Sequence, residues 1–216
     1  MKGLIRKDFY VFSKSLRSMI LIVGVFLIYS FLSPENIFFS IFPAVLLSSC
    51  AMTVLSYDER CGWQSLAGAL PVKKQTQVYA KYLFVLMMLG LYLVFFSVIG
   101  LVVGAFRGEM NFTMLFSNLL LSLAAGLGGP IVLYPVMFRL GVEKGRVVYY
   151  IVIVAVSMLA GGMASILEEN SANAALSTAL PAASENGMML AVIGAELVLY
   201  ALSAVLAAQL YAKREL

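Results

Sequence analysis

Residues 82–106 read YLFVLMMLGLYLVFFSVIGLVVGAF. The run carries no charge, and its apolar residues do not alternate with polar ones. An α-helix needs about 20 such residues to cross a hydrocarbon core about 30 Å thick. In lipid it also keeps every backbone hydrogen bond within itself. On either side of this stretch, charge-free runs occupy 18–34, 37–57, 110–138 and 147–167, and the run 186–212 is interrupted only by Glu196. Trimmed to one bilayer crossing each, the predicted spans are 18–34, 37–56, 82–105, 114–137, 147–167 and 188–210. Continuous apolarity without a period of two argues against a transmembrane strand barrel. The predicted fold is an all-α integral membrane protein, with six transmembrane helices in a single domain covering residues 1–216. Composition agrees, because 62% of the chain is apolar and 12% charged, against about 45–50% and about 25% in an average soluble domain. So few charges cannot cover the outside of a water-soluble core.

The position of the charges predicts the orientation. Lys and Arg concentrate in the N-terminal segment, in 57–81, in 139–146 and at the C-terminus, which together hold 14 of the 15 cations. The other three connections hold Arg107 with Glu35, Glu109, Glu168, Glu169 and Glu185. The positive-inside rule then places both termini and the 57–81 segment in the cytoplasm. The net charge of +4 follows from topology and suits an anionic inner leaflet; no nucleic-acid partner is implied. The first run leads into Ser33-Pro34-Glu35 without a small-residue cleavage pattern and is read as an uncleaved span. Cys50 falls in the second span and Cys61 on the cytoplasmic side, so no disulfide is expected. The Asn111-Phe112-Thr113 sequon lies too close to the membrane to carry weight.

Three segments outside the spans are patterned. In residues 2–17, Ile5, Phe9, Phe12 and Leu16 recur at helical spacing while Lys2, Arg6, Lys7 and Lys14 fall elsewhere on the wheel. That describes an amphipathic helix lying in the inner interface, either a plain anchor or a mechanical elbow. In 57–81, Asp58-Glu59 favours a helix N-terminus, Trp63, Leu66, Ala67 and Leu70 follow at helical spacing, and Pro71 closes the helix. It reads equally as a docking knob for a soluble partner or as an interfacial helix without one. The turn 139–146 (RLGVEKGR) has two glycines expected to break the flanking helices; Glu143 and Lys144 form a secondary candidate contact. Residues 168–187 form the longest outer connection, in which Ala172 to Leu180 is a candidate short helix.

Within the spans, Gly126-Leu127-Gly128-Gly129-Pro130 and then Pro135 predict a kink or an unwound segment. Gly129 and Pro130 are therefore candidate gating residues, with close glycine packing the competing explanation. Glu196 is the single ionisable residue well inside a span, roughly 12 Å from its outer end at 1.5 Å per residue. An intramembrane acid is costly and faces a partner or a wet cavity, so Glu196 is a candidate pathway residue or a structural, protonated acid.

The sequence has no His, which removes Ser–His and H-E-x-x-H protease chemistry. No G-x-x-x-x-G-K-[ST] pattern is present. Asp8 and Asp58, the two aspartates, both fall outside the spans, so an intramembrane aspartyl pair is excluded. No catalytic residue, metal ligand or bound cofactor is expected in this chain.

The arrangement resembles the permease subunits of ABC-2 type exporters. The similarity lies in Met1-Lys2-Gly3-Leu4-Ile5-Arg6-Lys7-Asp8-Phe9-Tyr10, in Tyr57-Asp58-Glu59 with Trp63, in Leu70-Pro71-Val72 before a basic stretch, and in Lys81-Tyr82-Leu83. It is closest to the short bacterial members that export peptides such as phenol-soluble modulins and antimicrobial peptides. The outer hairpin of that family before the last span is matched only by a weak Ala-rich segment. The resemblance implies a bacterial cytoplasmic-membrane permease that pairs with a second copy or a paralogue. It implies docking of a separate ATPase, which holds ATP and Mg, through a coupling helix containing Asp58, Glu59, Trp63, Leu66 and Leu70. The cargo implied is an amphipathic peptide or another lipophilic molecule, moved outward. The alternative from the residues alone is a stand-alone secondary transporter or channel using Glu196 and a broken fourth span.

Overall fold

The structure, a computed structural model, describes residues 2–32, 38–63, 66, 74–107, 112–152, 154, 158 and 185–212. These residues are almost entirely helical, and no strand occurs among them. The helices are α1 (Lys2–Leu32), α2 (Phe38–Ser48), α3 (Cys50–Arg60), α4 (Lys74–Arg107), α5 (Phe112–Leu140) and α6 (Glu185–Ala212). Residues 142–152 are helical as well. Leu70, Asn111 and the outer segment 168–184 lie outside the described residues.

Four helical stretches are long and apolar enough to cross a membrane: Phe38–Arg60, Lys74–Phe106, Phe112–Leu140 and Leu190–Ala212. They coincide with the second, third, fourth and sixth expected spans. The first expected span falls in α1, whose apolar part is the shorter Met19–Phe31. Most of the fifth lies beyond the described residues.

Several boundaries differ from the sequence expectation. α1 runs straight through residues 17 and 18, where an interfacial helix was expected to hand over to a span. No Gly or Pro occurs between Gly3 and Gly24, so nothing local stops the helix. α4 starts at Lys74, not at residue 82. Its 34 residues span about 51 Å at 1.5 Å per residue, well beyond one hydrocarbon core. α2 and α3 are separated only by Ser49. There Ser48 and Ser49 hydroxyls donate back to the Val45 and Leu46 carbonyls (2.8 and 2.7 Å), the side-chain competition that loosens a helix locally. α5 is an uninterrupted helix despite Pro130 and Pro135; of the expected kink or unwound segment, the unwinding does not occur.

α5 and α6 form the most extensive helix pair; α2 packs on α5, α4 packs on both, and α1 packs on α2, α3 and α4. Phe12 of α1 meets Phe84 of α4 edge-on, with centroids 5.9 Å apart. α4 shows how the sequence satisfies both environments. Val85, Leu89, Tyr92 and Phe96 are buried, while Met87, Leu91, Val94, Phe95 and Val98 are exposed. A water-facing helix would carry charge on that second face; here it is apolar, as a lipid-facing one must be. α5 stops at Gly141, whose φ of +83° is a conformation glycine adopts at low cost. Its N–H closes onto the Met137 carbonyl at 2.9 Å. Gly145 does not break a helix. It lies inside the 142–152 helix, where a Cβ would stand 3.0 Å from Met137 Cα.

Candidate functional site

The first turns of α1 and α4 and the last turn of α3 meet at one end of the bundle. α1 contributes Lys7 and Asp8, α3 contributes Asp58, and α4 contributes Lys81. Lys81 Nζ donates to Asp8 Oδ1 at 2.6 Å and to Asp58 Oδ2 at 2.5 Å. Lys7 Nζ donates to Asp58 Oδ1 at 2.7 Å and stands 3.1 Å from Asp8 Oδ1. Asp8 is 1% exposed, and Asp58 and Lys81 are also buried. Two cations balance two anions, so the cluster is neutral. Burying a charge is tolerated only when it is paired and hydrogen-bonded. One acceptor remains: Asp8 Oδ2 is buried without a hydrogen-bond partner among the described residues. Lys7 Nζ also sits 4.2 Å above the Trp63 ring, a cation–π contact.

The cluster divides naturally. Lys7 with Asp8 on α1 is one neutral pair, and Asp58 with Lys81 is another. The cross-bonds, Lys7–Asp58 and Lys81–Asp8, are what tie α1 to α3 and α4. The end of α1 can therefore separate from its neighbours without leaving a net charge on either side, a property no three-charge arrangement has.

Behind the cluster a polar seam joins α4, α5 and α6. Tyr134 OH donates to the Lys81 carbonyl at 2.9 Å, and Tyr200 OH to the Tyr82 carbonyl at 2.8 Å. Ser203 Oγ donates to the Ile131 carbonyl at 2.7 Å, which leaves Tyr82 OH as the donor in its 2.7 Å bond to Ser203 Oγ. Each of these buried hydroxyls thus finds an acceptor.

Next to the cluster, Glu59 Oε2 accepts the backbone N–H of Val142 at 2.9 Å and so caps the 142–152 helix. Arg146 Nη2 donates to Ser56 Oγ at 3.0 Å. Between α3 and the 139–146 turn lies an open cleft of about 400 Å³, lined by Arg60, Glu143 and Lys144 among others. The segments expected to share the cytoplasmic side therefore do gather at one end of the molecule.

The structure relocates several candidate residues. Asp58 is buried and paired inside the cluster. Glu59 is half-buried and occupied as a cap, and Trp63 is half-buried against Lys7. Leu66 is 58% exposed, and Glu143 and Lys144 are exposed. Gly129 lies at a helix crossing, where a Cβ would stand 3.3 Å from both Ser48 Oγ and Tyr149 OH; Pro130 is buried beside it. Glu196, on α6, is half-buried, and its Oε2 has no hydrogen-bond partner among the described residues. Cys50 is buried and Cys61 exposed, both as free thiols. The two partners of Asp58, Lys7 and Lys81, and the neighbouring Asp8 were not among the candidate site residues, although all three fall in the stretches that carry the resemblance. The available signal was Asp8 itself, which shares a helix face with Phe12 four residues on. The expected apolar stripe ran through Phe9, yet Phe9 is exposed and Asp8 buried. A carboxylate on a buried stripe requires a cationic partner, and Lys81 supplies it.

Neither the curated proteins nor the solved structures contain a match to this chain. The family model described as ABC-2 family transporter protein matches residues 3–212, from the first turn of α1 to the end of α6. The chain, a membrane protein of apolar helices, thus belongs to the ABC-2 family of transporter proteins.

Proposed function

We propose that the chain is the membrane-spanning permease subunit of an ATP-driven exporter in a bacterial cytoplasmic membrane. Six helices cross the bilayer in this reading, with the α1 stretch 18–34 and residues 147–167 joining the four long apolar helices. The end of the bundle that holds Asp58 and Lys81 faces the cytoplasm. A separate ATPase subunit, which carries ATP and Mg, docks around Trp63 and Leu66, with Glu143 and Lys144 as a second contact. Two copies, or this chain with a paralogue, enclose the pathway, and amphipathic peptides or other lipophilic molecules are its cargo. The chain itself performs no hydrolysis.

The observation that carries this reading is the four-charge cluster beside Trp63. Force applied at Trp63 reaches Lys7 on α1 through the ring, then Asp58 on α3, which Lys81 joins to α4. Affinity purification of the full-length chain with its ATPase tests it. The wild type should retain the ATPase, and Trp63→Glu with Leu66→Glu should release it while the permease stays folded. Transport driven by an ion gradient with no ATPase bound would overturn it. That second outcome would favour a stand-alone transporter, for which Glu196 Oε2, without a hydrogen-bond partner among the described residues, is the supporting observation. Glu196→Gln then distinguishes the roles: unchanged export and unchanged ATPase stimulation would remove Glu196 from the pathway.

A further inference from the structure

The cleft between α3 and the 139–146 turn holds cations that the fold does not use. Arg60 and Lys144 form no ion pair among the described residues, although both line the cleft. Arg146 spends one N–H on Ser56 and is otherwise exposed. Of the two carboxylates present, Glu59 is held by the Val142 N–H, and Glu143 is exposed. Three cations against two acids leave a net positive site.

Its depth and its surroundings indicate what it receives. The cleft lies where two candidate spans end, at Arg60 and at Leu140, which is the level of lipid headgroups. From it, Val147 and Ile151 lie on the 142–152 helix, and Val154 and Met158, helical as well, follow at spacings of three and four residues; all four are exposed. Helical spacing of that kind puts apolar residues on one face. Positive charge at the interface and an apolar track leading into the bilayer together match one amphiphile. We propose that the cleft binds an anionic phospholipid, its phosphate held by Arg60 and Lys144 and its acyl chains laid along Val147 to Met158. The charges alone would equally suit the ATPase contact proposed at Glu143 and Lys144; the apolar stripe beside them is what selects an amphiphile. Basic pockets between spanning helices on the cytoplasmic side recognise anionic headgroups in this way.

The test uses the full-length chain without any ATPase, in nanodiscs or mixed micelles with phosphatidylglycerol or phosphatidylcholine of identical acyl chains. Retained lipid is counted by native mass spectrometry, and thermal stability is followed in parallel. The wild type should prefer phosphatidylglycerol. Arg60→Gln with Lys144→Gln should weaken that preference by about an order of magnitude, and Lys2→Gln with Arg6→Gln, which removes as many cations from α1, should leave it intact. Three results would overturn the proposal. One is equal retention of the two lipids. Another is an equal loss in the Lys2/Arg6 variant, which would reduce the effect to bulk charge. The third is an unchanged lipid preference in the Arg60/Lys144 variant; loss of the ATPase by that variant in a separate co-purification would then make the cleft a protein contact. Because lipid retention is read without the ATPase, its failure leaves the exporter reading untouched.

Discussion

Asp58 accepts from both lysines of the buried cluster, at 2.7 and 2.5 Å. Asp58→Asn keeps its size but leaves three charges where four cancelled. Breaking a buried pair by removing one partner costs about 3–5 kcal/mol, because the remaining charge stays buried. Thermal unfolding in detergent should register a loss at the lower end of that range, since Lys7 is partly exposed and can turn to water. Replacing Arg146, whose bond to Ser56 is exposed, should shift the midpoint far less. At this scale the sequence was legible in part. Asp58, Glu59 and Trp63 stood out by order and spacing, but the two lysines that hold Asp58 lie 51 and 23 residues from it in the chain, and no local pattern connects such positions.

The helices respond to these same charges and to a few glycines. Exchanging the signs with Asp58→Lys and Lys81→Asp preserves attraction between α3 and α4. It sets the new cation on α3 against Lys7 and the new carboxylate on α4 against Asp8, so both cross-bonds to α1 become repulsive. Hydrogen exchange should then quicken over the first turns of α1 while α4 remains protected; equal protection of α1 in both proteins would show that the cross-bonds do not hold it. At the other junction, Gly141→Ala puts a Cβ on a left-handed residue, at about 1–2 kcal/mol. Gly145→Ala instead presses on the α5 backbone at Met137 and should also lower the unfolding midpoint, by moving the 142–152 helix away from α5. The two glycines of 139–146 were both expected to be breakers. Only Gly141 is one, because backbone angle and close approach are different reasons for the same residue. Likewise Pro130 and Pro135 were expected to kink or unwind the fourth span, with close glycine packing as the competing explanation. The helix continues through both prolines, and Gly126 and Gly129 stand at close approaches to Leu89, Ser48 and Tyr149, which is the packing reading.

For the whole molecule, the two cysteines report orientation. Cys61 is exposed beside the charged end and Cys50 is buried in α3. With the charged end in the cytoplasm, a membrane-impermeant maleimide should label Cys61 in inverted vesicles and leave intact cells unlabelled. Cys50 should react only after denaturation. Labelling of Cys61 in intact cells would reverse the proposed topology. The class of molecule, an all-helical membrane protein, was readable from the order of residues alone. It follows from a solvent requirement that acts residue by residue: lipid accepts apolar side chains and self-satisfied backbone, and each can be followed along the chain. It took the packed helices to establish that Asp8, not Phe9, faces inward, that Glu59 is a cap and Asp58 an internal charge, and that Arg60 and Lys144 share a cleft. Pairing of charges depends on distances between helices far apart in sequence, and a modest rotation of a helix about its axis exchanges a buried partner for an exposed one.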